Sequence, residues 1–184
     1  MAQARDASVM TARQSPVCPM TGNLMIKTRI AAAIAAAAVV LTAGAAAAQN
    51  WQGAPTYGSV QLAPGFQPDP HNVQLTAGGP INAQAALGNA CPGFIANNPD
   101  FDLYWGNGSS GLPLVISATS QVDTTLVVRT PGGQWLCEDD GGFNGFNPGM
   151  RIDNPQPGLY DIWVGTYAQG NAPAVLSISE LTSN

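Results

Sequence analysis

The chain has 184 residues and a formal charge of −5, and four of its six basic residues fall within the first 29 positions. Beyond Ala48 two arginines face ten carboxylates and no lysine occurs, a formal charge of −8 for those 136 residues. Nucleic acid and anionic membrane surfaces are thereby excluded as partners, because both are held through a basic footprint that this stretch lacks.

Taken in order, the chain opens on a leader. Lys27 and Arg29 precede an apolar run from Ile30 to Ala48 that closes on Ala46-Ala47-Ala48, the small-residue pattern of a signal-peptidase site. Residues 25–48 therefore read as a signal peptide, cleaved to leave Gln49 first. Residues 1–24 read as an extension from a start site set too early, since Met20 or Met25 gives an ordinary leader. A membrane anchor fits less well: alanine partitions weakly into lipid and no basic stop-transfer cluster follows. The expectation is a periplasmic or secreted protein with no membrane span after cleavage. Cys18 then has no role, and Cys91 and Cys137 remain, an even count in an oxidising compartment. A disulfide between them is the default reading, worth about 4 kcal/mol in chain-entropy terms. A zinc or redox role is weaker, because two sulfurs make a poor zinc site and their spacing is not that of a redox pair.

The exported part, long enough for one domain with a real core, begins with an arm over residues 49–56, within a Pro/Gly-rich stretch that runs to residue 70. Strands are predicted at Gly58–Leu62 and His71–Leu75, then a Gly78-Gly79-Pro80 turn, a short Ile81–Asn82 segment and one helical turn over Ala83–Leu87. Asn97–Asp100 makes a turn into a strand at Phe101–Trp105. The loop from Asn107 to Gly111 contains a glycosylation sequon, read here as turn chemistry. Leu114–Ala118 alternates. In Thr125–Arg129, Leu126 and Val128 share one face against Thr125, Val127 and Arg129. Pro131-Gly132-Gly133 turns the chain back through Gln134–Cys137, with Trp135 and Cys137 on one side, so the pair reads as a hairpin. Tyr160–Thr166 sets Tyr160, Ile162 and Val164 against Asp161, Trp163 and Gly165, and Ala174–Leu181 completes the set. Short, closely spaced strands without an amphipathic helix define an all-β sandwich, with the disulfide tying an early strand to the hairpin. Spacing leaves jelly-roll and immunoglobulin-like strand orders both open.

Five motifs in order add to this reading: Cys91-Pro-Gly-Phe-Ile, Pro99-Asp-Phe-Asp-Leu-Tyr, Asp123-Thr-Thr-Leu-Val-Val, Trp135-Leu-Cys-Glu-Asp-Asp-Gly-Gly and Gly158-Leu-Tyr-Asp-Ile-Trp-Val-Gly-Thr-Tyr. Together they resemble the bacterial pre-peptidase C-terminal domain, in a small secreted version that stands alone, and place that domain over residues 57–184. The resemblance implies a single β-sandwich of jelly-roll type. It also implies a role as an accessory module that is cleaved off or binds substrate polymers, with calcium in some relatives. Stand-alone members are sometimes labelled serine peptidases.

The residues argue against that label. His71 is the only histidine, no serine lies in a Gly-x-Ser-x-Gly or Gly-Asp-Ser-Gly setting, and a relay needs nucleophile, base and orienting acid together. A secreted hydrolase is the alternative, disfavoured for want of a base even though Asp69 lies two residues from His71. A glycosidase pair at Asp139 and Asp140 is opposed by strand alternation, which sends neighbours to opposite faces unless the loop reorients them. The acidic, glycine-rich loop Glu138, Asp139, Asp140 and Asn144 is the candidate calcium site. Asn147 and Asp153 follow it, and Asp100, Asp102 and Asp123 are outside donors. Its spacing is not that of an EF-hand, and a solvated turn is the plain alternative. Trp163 and Tyr167 form a candidate binding surface, unless their face packs against the N-terminal arm. The expected function is a non-enzymatic module binding an extracellular or envelope protein or polysaccharide. It needs no cofactor other than the candidate Ca2+, and a structural matrix role is the third class.

Overall fold

The computed structural model describes residues 49–108 and 111–183; the extension and leader expected over residues 1–48 lie outside them. The described residues form β1 (Ser59–Leu62), β2 (His71–Gly78), β3 (Ile81–Asn82), α1 (Ala83–Leu87), β4 (Phe94–Ile95), β5 (Phe101–Trp105) and β6 (Leu114–Ser120). There follow β7 (Thr124–Arg129), β8 (Trp135–Glu138), β9 (Gly149–Ile152), β10 (Gly158–Thr166) and β11 (Asn171–Ser179). Two of these, β4 and β9, have no counterpart among the predicted strands. Both are short and set among Gly and Pro, which hides their alternation.

The strands make two sheets packed as a sandwich. In the first, β10 is central: β7 and then β8 lie on one side, β5 and then β1 on the other. β5 pairs with β10 only as far as Ile162, and β4 takes the same side at Thr166, followed by β3. The second sheet runs β2-β11-β6-β9, all antiparallel. One pair, β1 with β5, is parallel. Apart from β3, β4 and β5, which follow one another in the first sheet, and the β7–β8 hairpin, the chain alternates between the sheets as it proceeds.

Between the sheets lies the main core. Leu103, Leu126, Val128, Tyr160, Ile162 and Val164 come from the first sheet, and Leu75, Leu114, Ile116, Leu176 and Ile178 from the second. These are the faces that the alternation predicts, and burial of each large side chain contributes roughly 1.5–3 kcal/mol. The opposite face of β10 is buried too. Trp163 and Val127 are fully covered, in a second cluster with Ile95, Ala83 and Cys91, and Trp135 stacks at 5.3 Å from Trp163. The cover is the segment 81–96, which holds β3, α1 and β4. Asn82 caps α1 through its side-chain oxygen, which accepts from the Ala85 amide at 2.9 Å.

A disulfide joins Cys91 to Cys137, with Cα atoms 5.0 Å apart. Cys137 lies on the β7–β8 hairpin as expected, but Cys91 lies in the connection between α1 and β4 rather than in an early strand. The bridge therefore pins the covering segment over Trp163. The arm is tied elsewhere: Asn50 donates to Asn97 O, Thr56 to Pro99 O and Tyr57 to Asp100 O at 2.8–3.1 Å.

Replacing both Cys91 and Cys137 by Ala is expected to cost about 2–4 kcal/mol and to loosen the segment above Trp163. Denaturant titration reads the first effect. Acrylamide quenching of tryptophan should rise in the same variant, and unchanged quenching would show that the bridge does not hold this cover.

Candidate functional site

Three connections meet at one end of the sandwich: the β6–β7 turn (121–123), the β8–β9 loop (139–148) and the β10–β11 loop (167–170). The Tyr167 amide donates to Asp123 O and the Thr124 amide to Phe146 O, both at 3.0 Å. Asn147 binds the first two together. Its side-chain oxygen accepts from Ser120 N at 2.9 Å and from the Thr124 hydroxyl at 2.8 Å. At the neck of the loop, the two oxygens of Glu138 accept from Gly141 N and Gly149 N, each at 2.7 Å. Because β8 edges one sheet and β9 the other, this one carboxylate closes the open side of the sandwich. Glycine is favoured at the neck, since a Cβ on Gly141 would stand 2.8 Å from the backbone oxygen of Gly149.

Asp123, Asp139 and Asp140 converge, with one carboxylate oxygen of each within 4.8 Å of the others. Burial first, then the charges of Asp140, Asp123 and Glu138, push Asp139 up to about 6. Asp123 is raised as well, by burial and by Asp140. This set differs from the one the sequence suggests. Glu138 spends both oxygens on backbone amides, and Asn144 is exposed at the loop tip with its carbonyl accepting from Asn147 N. Asp153 pairs with Arg151 at 2.7 Å. Of the three outside donors expected, Asp123 joins from a separate turn, while Asp100 and Asp102 lie buried in and beside β5 and take no part. Asp139 and Asp140 lie past the end of β8, so the loop rather than strand alternation sets their directions, and both join the cluster. Three carboxylates fit a calcium ion in ligand type and supply at most six oxygens, the lower end of its usual number.

The same connections expose four large apolar side chains. Phe143 is 84 % exposed, Phe146 69 %, Tyr167 51 % and Val122 45 %. A cavity of about 240 Å³ opens between Val122, Asp123, Tyr167 and the β10–β11 loop. Phe146 also has a φ of 81°, left-handed backbone that side chains other than glycine rarely adopt. The two phenylalanines were not among the residues singled out from sequence, although aromatics set between glycines in a polar loop carried the signal. Trp163 corrects the expectation in the other direction. It is fully buried beneath segment 81–96, not beneath the arm, so no Trp163–Tyr167 platform exists, and Tyr167 stands with Val122 instead.

No relay assembles at His71. Its ring lies 6.1 Å from that of Phe101, and the Asp69 carboxylate accepts from Glu180 N at 3.0 Å. The buried acids have structural explanations. Asp100 sits where β5 leaves β10 and β4 has not yet arrived: its amide donates to Ile162 O and its carboxylate accepts from Val164 N, both at 2.8 Å. Burial pushes it up to about 7 against the opposing effect of the Val164 amide. Asp102, Asp161 and Arg129 form a row across β5, β10 and β7. Arg129 lies 3.3 Å from Asp161 and 3.7 Å above the Trp51 ring of the arm. Burial and the neighbouring Asp161 push Asp102 up to about 6. Burial raises Asp161 too, while Arg129 lowers it.

No protein-family model matches the sequence, and no curated protein does so. Several solved structures are similar at low identity, and two of them illustrate the likeness. One is the pre-peptidase C-terminal domain of collagenase from Bacillus anthracis, 15 % identical over 66 % of this chain and 94 % of that one, with a TM-score of 0.36. It is a domain of the kind the sequence motifs resemble. The other is PliG from Aeromonas hydrophila, a periplasmic lysozyme inhibitor of g-type lysozyme, 15 % identical over 66 % of this chain and 96 % of that one, with a TM-score of 0.33. Among the described residues no helix is long and apolar enough to cross a membrane.

The raised carboxyls fix a pH dependence. Their folded values exceed the unfolded value of 3.8, so the folded chain binds these protons more readily. That stability is fully present near the unfolded value and is lost as pH rises through about 6 for Asp102 and Asp139 and about 7 for Asp100. Denaturant titrations are expected to give higher stability at pH 5 than at pH 8. Asp100→Asn keeps an oxygen for Val164 N and removes the charge, so it should exceed the parent protein at pH 8 and flatten the slope. A parent protein that gains stability from pH 5 to pH 8 would contradict this account.

Proposed function

We propose that this chain is an exported, non-catalytic β-sandwich that works by contact, through the end bearing Val122, Phe143, Phe146 and Tyr167. The observation that carries the reading is Phe146, an aromatic side chain 69 % exposed on backbone with a φ of 81°. For the free protein both features are unfavourable, and a glycine there would serve the fold better. A partner that covers the ring gives it a use, because exposed aromatics are the usual anchors of recognition surfaces. Export is supported by the leader pattern and by the disulfide, which persists in oxidising compartments. The partner is an extracellular or envelope protein or polysaccharide. Calcium is a further part of this proposal: Asp123, Asp139 and Asp140 would hold it, and its charge would relieve their repulsion and stiffen the loop.

Two measurements test the reading. Phe146→Gly should raise Tm by about 2 °C, because the left-handed cost of roughly 1–2 kcal/mol exceeds the chain entropy that glycine adds. The same variant combined with Phe143→Ser should lose what the parent protein retains from envelope and culture fluid. Identical retention by both proteins would remove the contact end. Millimolar calcium should raise Tm in the parent protein and not in Asp139→Asn/Asp140→Asn; no shift in either removes calcium alone.

A further inference from the structure

Asp123 faces two ways. It belongs to the carboxylate cluster with Asp139 and Asp140, and it also lines the cavity beside Val122 and Tyr167. At about 240 Å³ that cavity falls below the roughly 300–1,000 Å³ of small-molecule pockets and suits one side chain. No arginine answers the acids from within the domain, because Arg129 is engaged by Asp161 and Arg151 by Asp153. The charge of −8 beyond Ala48 repels anionic polymers and lipid headgroups and attracts cations over a distance. Phe143 and Phe146 stand exposed on the same loop as Asp139 and Asp140.

We infer that the partner is a protein whose surface sets Lys or Arg side chains beside an apolar one. The apolar side chain enters the cavity at Val122 and Tyr167, and the cations meet Asp123, Asp139 and Asp140 in their calcium-free state. A calcium ion on those oxygens would compete with them, so the peptides that test the inference are added in the presence of chelator. This rests on the contact reading above and names the chemistry that the contact recognises. Apolar anchors supply the affinity, while the opposed charges steer the encounter and exclude acidic partners.

The probes are three acetylated, amidated peptides: Gly-Lys-Leu-Lys-Gly, its Gln counterpart Gly-Gln-Leu-Gln-Gly, and its Glu counterpart. Binding to the purified protein is followed by amide chemical shifts. The Lys peptide is expected to bind at least tenfold tighter than the Gln peptide, shifting Asp123, Asp139, Asp140 and Tyr167, and to weaken severalfold between 50 and 300 mM salt, as screening requires. The Glu peptide should not bind. In Asp139→Asn/Asp140→Asn, with its fold confirmed by an undiminished Tm, the Lys and Gln peptides should become equal. Equal binding of both peptides to the parent protein would overturn the cationic partner. If Phe143→Ser/Phe146→Gly then abolished both, the contact reading would survive that failure. Binding of phosphatidylglycerol vesicles in place of the Lys peptide would assign the end to a membrane and overturn the inference, as would no binding of any peptide.

Discussion

β10 needs cover on both faces, and much of the architecture answers that need. Tyr160, Ile162 and Val164 are covered by the second sheet, as in any sandwich. Trp163 on the opposite face is too large and apolar to leave in water, so segment 81–96 folds over it and the Cys91–Cys137 bridge holds that segment down. The same segment supplies β4, which continues the sheet beside β10 after β5 has left. The step between β5 and β4 would orphan the Val164 amide, and the Asp100 carboxylate fills the place. Desolvating that acid raises its pKa, so part of the fold's pH dependence follows from a tryptophan that had to be buried.

Much of this was legible in the sequence. The alternation in β7, β8 and β10 assigns the inward residues correctly, and the disulfide follows from an even cysteine count. What alternation cannot show is whether the outward face is wet. Trp163 was placed correctly on its strand and misjudged in its surroundings, because the segment that covers it has little periodicity of its own. β11 starts earlier than predicted for a related reason. Pro173 argues against a strand, yet it sits where β11 pairs with β2 and has not begun to pair with β6.

The candidate site was half legible. An acidic, glycine-rich loop is visible as composition, and Asp139 and Asp140 do take part in the cluster. Glu138 looked like their equal and is instead the clasp of the loop, a role set by the approach of β9 across the open side of the sandwich. Asp123 comes from a turn 16 residues before Asp139 and is brought there by the β6–β7 connection and the Asn147 side chain. Such convergence depends on strand order, which spacing left undecided. Phe143 and Phe146 match no strand pattern, so alternation does not mark them, and it is their independence from any strand that leaves them exposed.

The Glu138 clasp has a wider consequence. By fastening Gly141 and Gly149 to one carboxylate, and with Phe146 O accepting from Thr124 N, it closes the loop below residues 143–145, so those three bear little of the weight of folding. Substitutions and insertions among residues 143–145 are then tolerated by the framework. A lineage can retune what this end touches by exchanging a handful of residues, as hypervariable loops do on other sandwiches, while the scaffold beneath stays fixed.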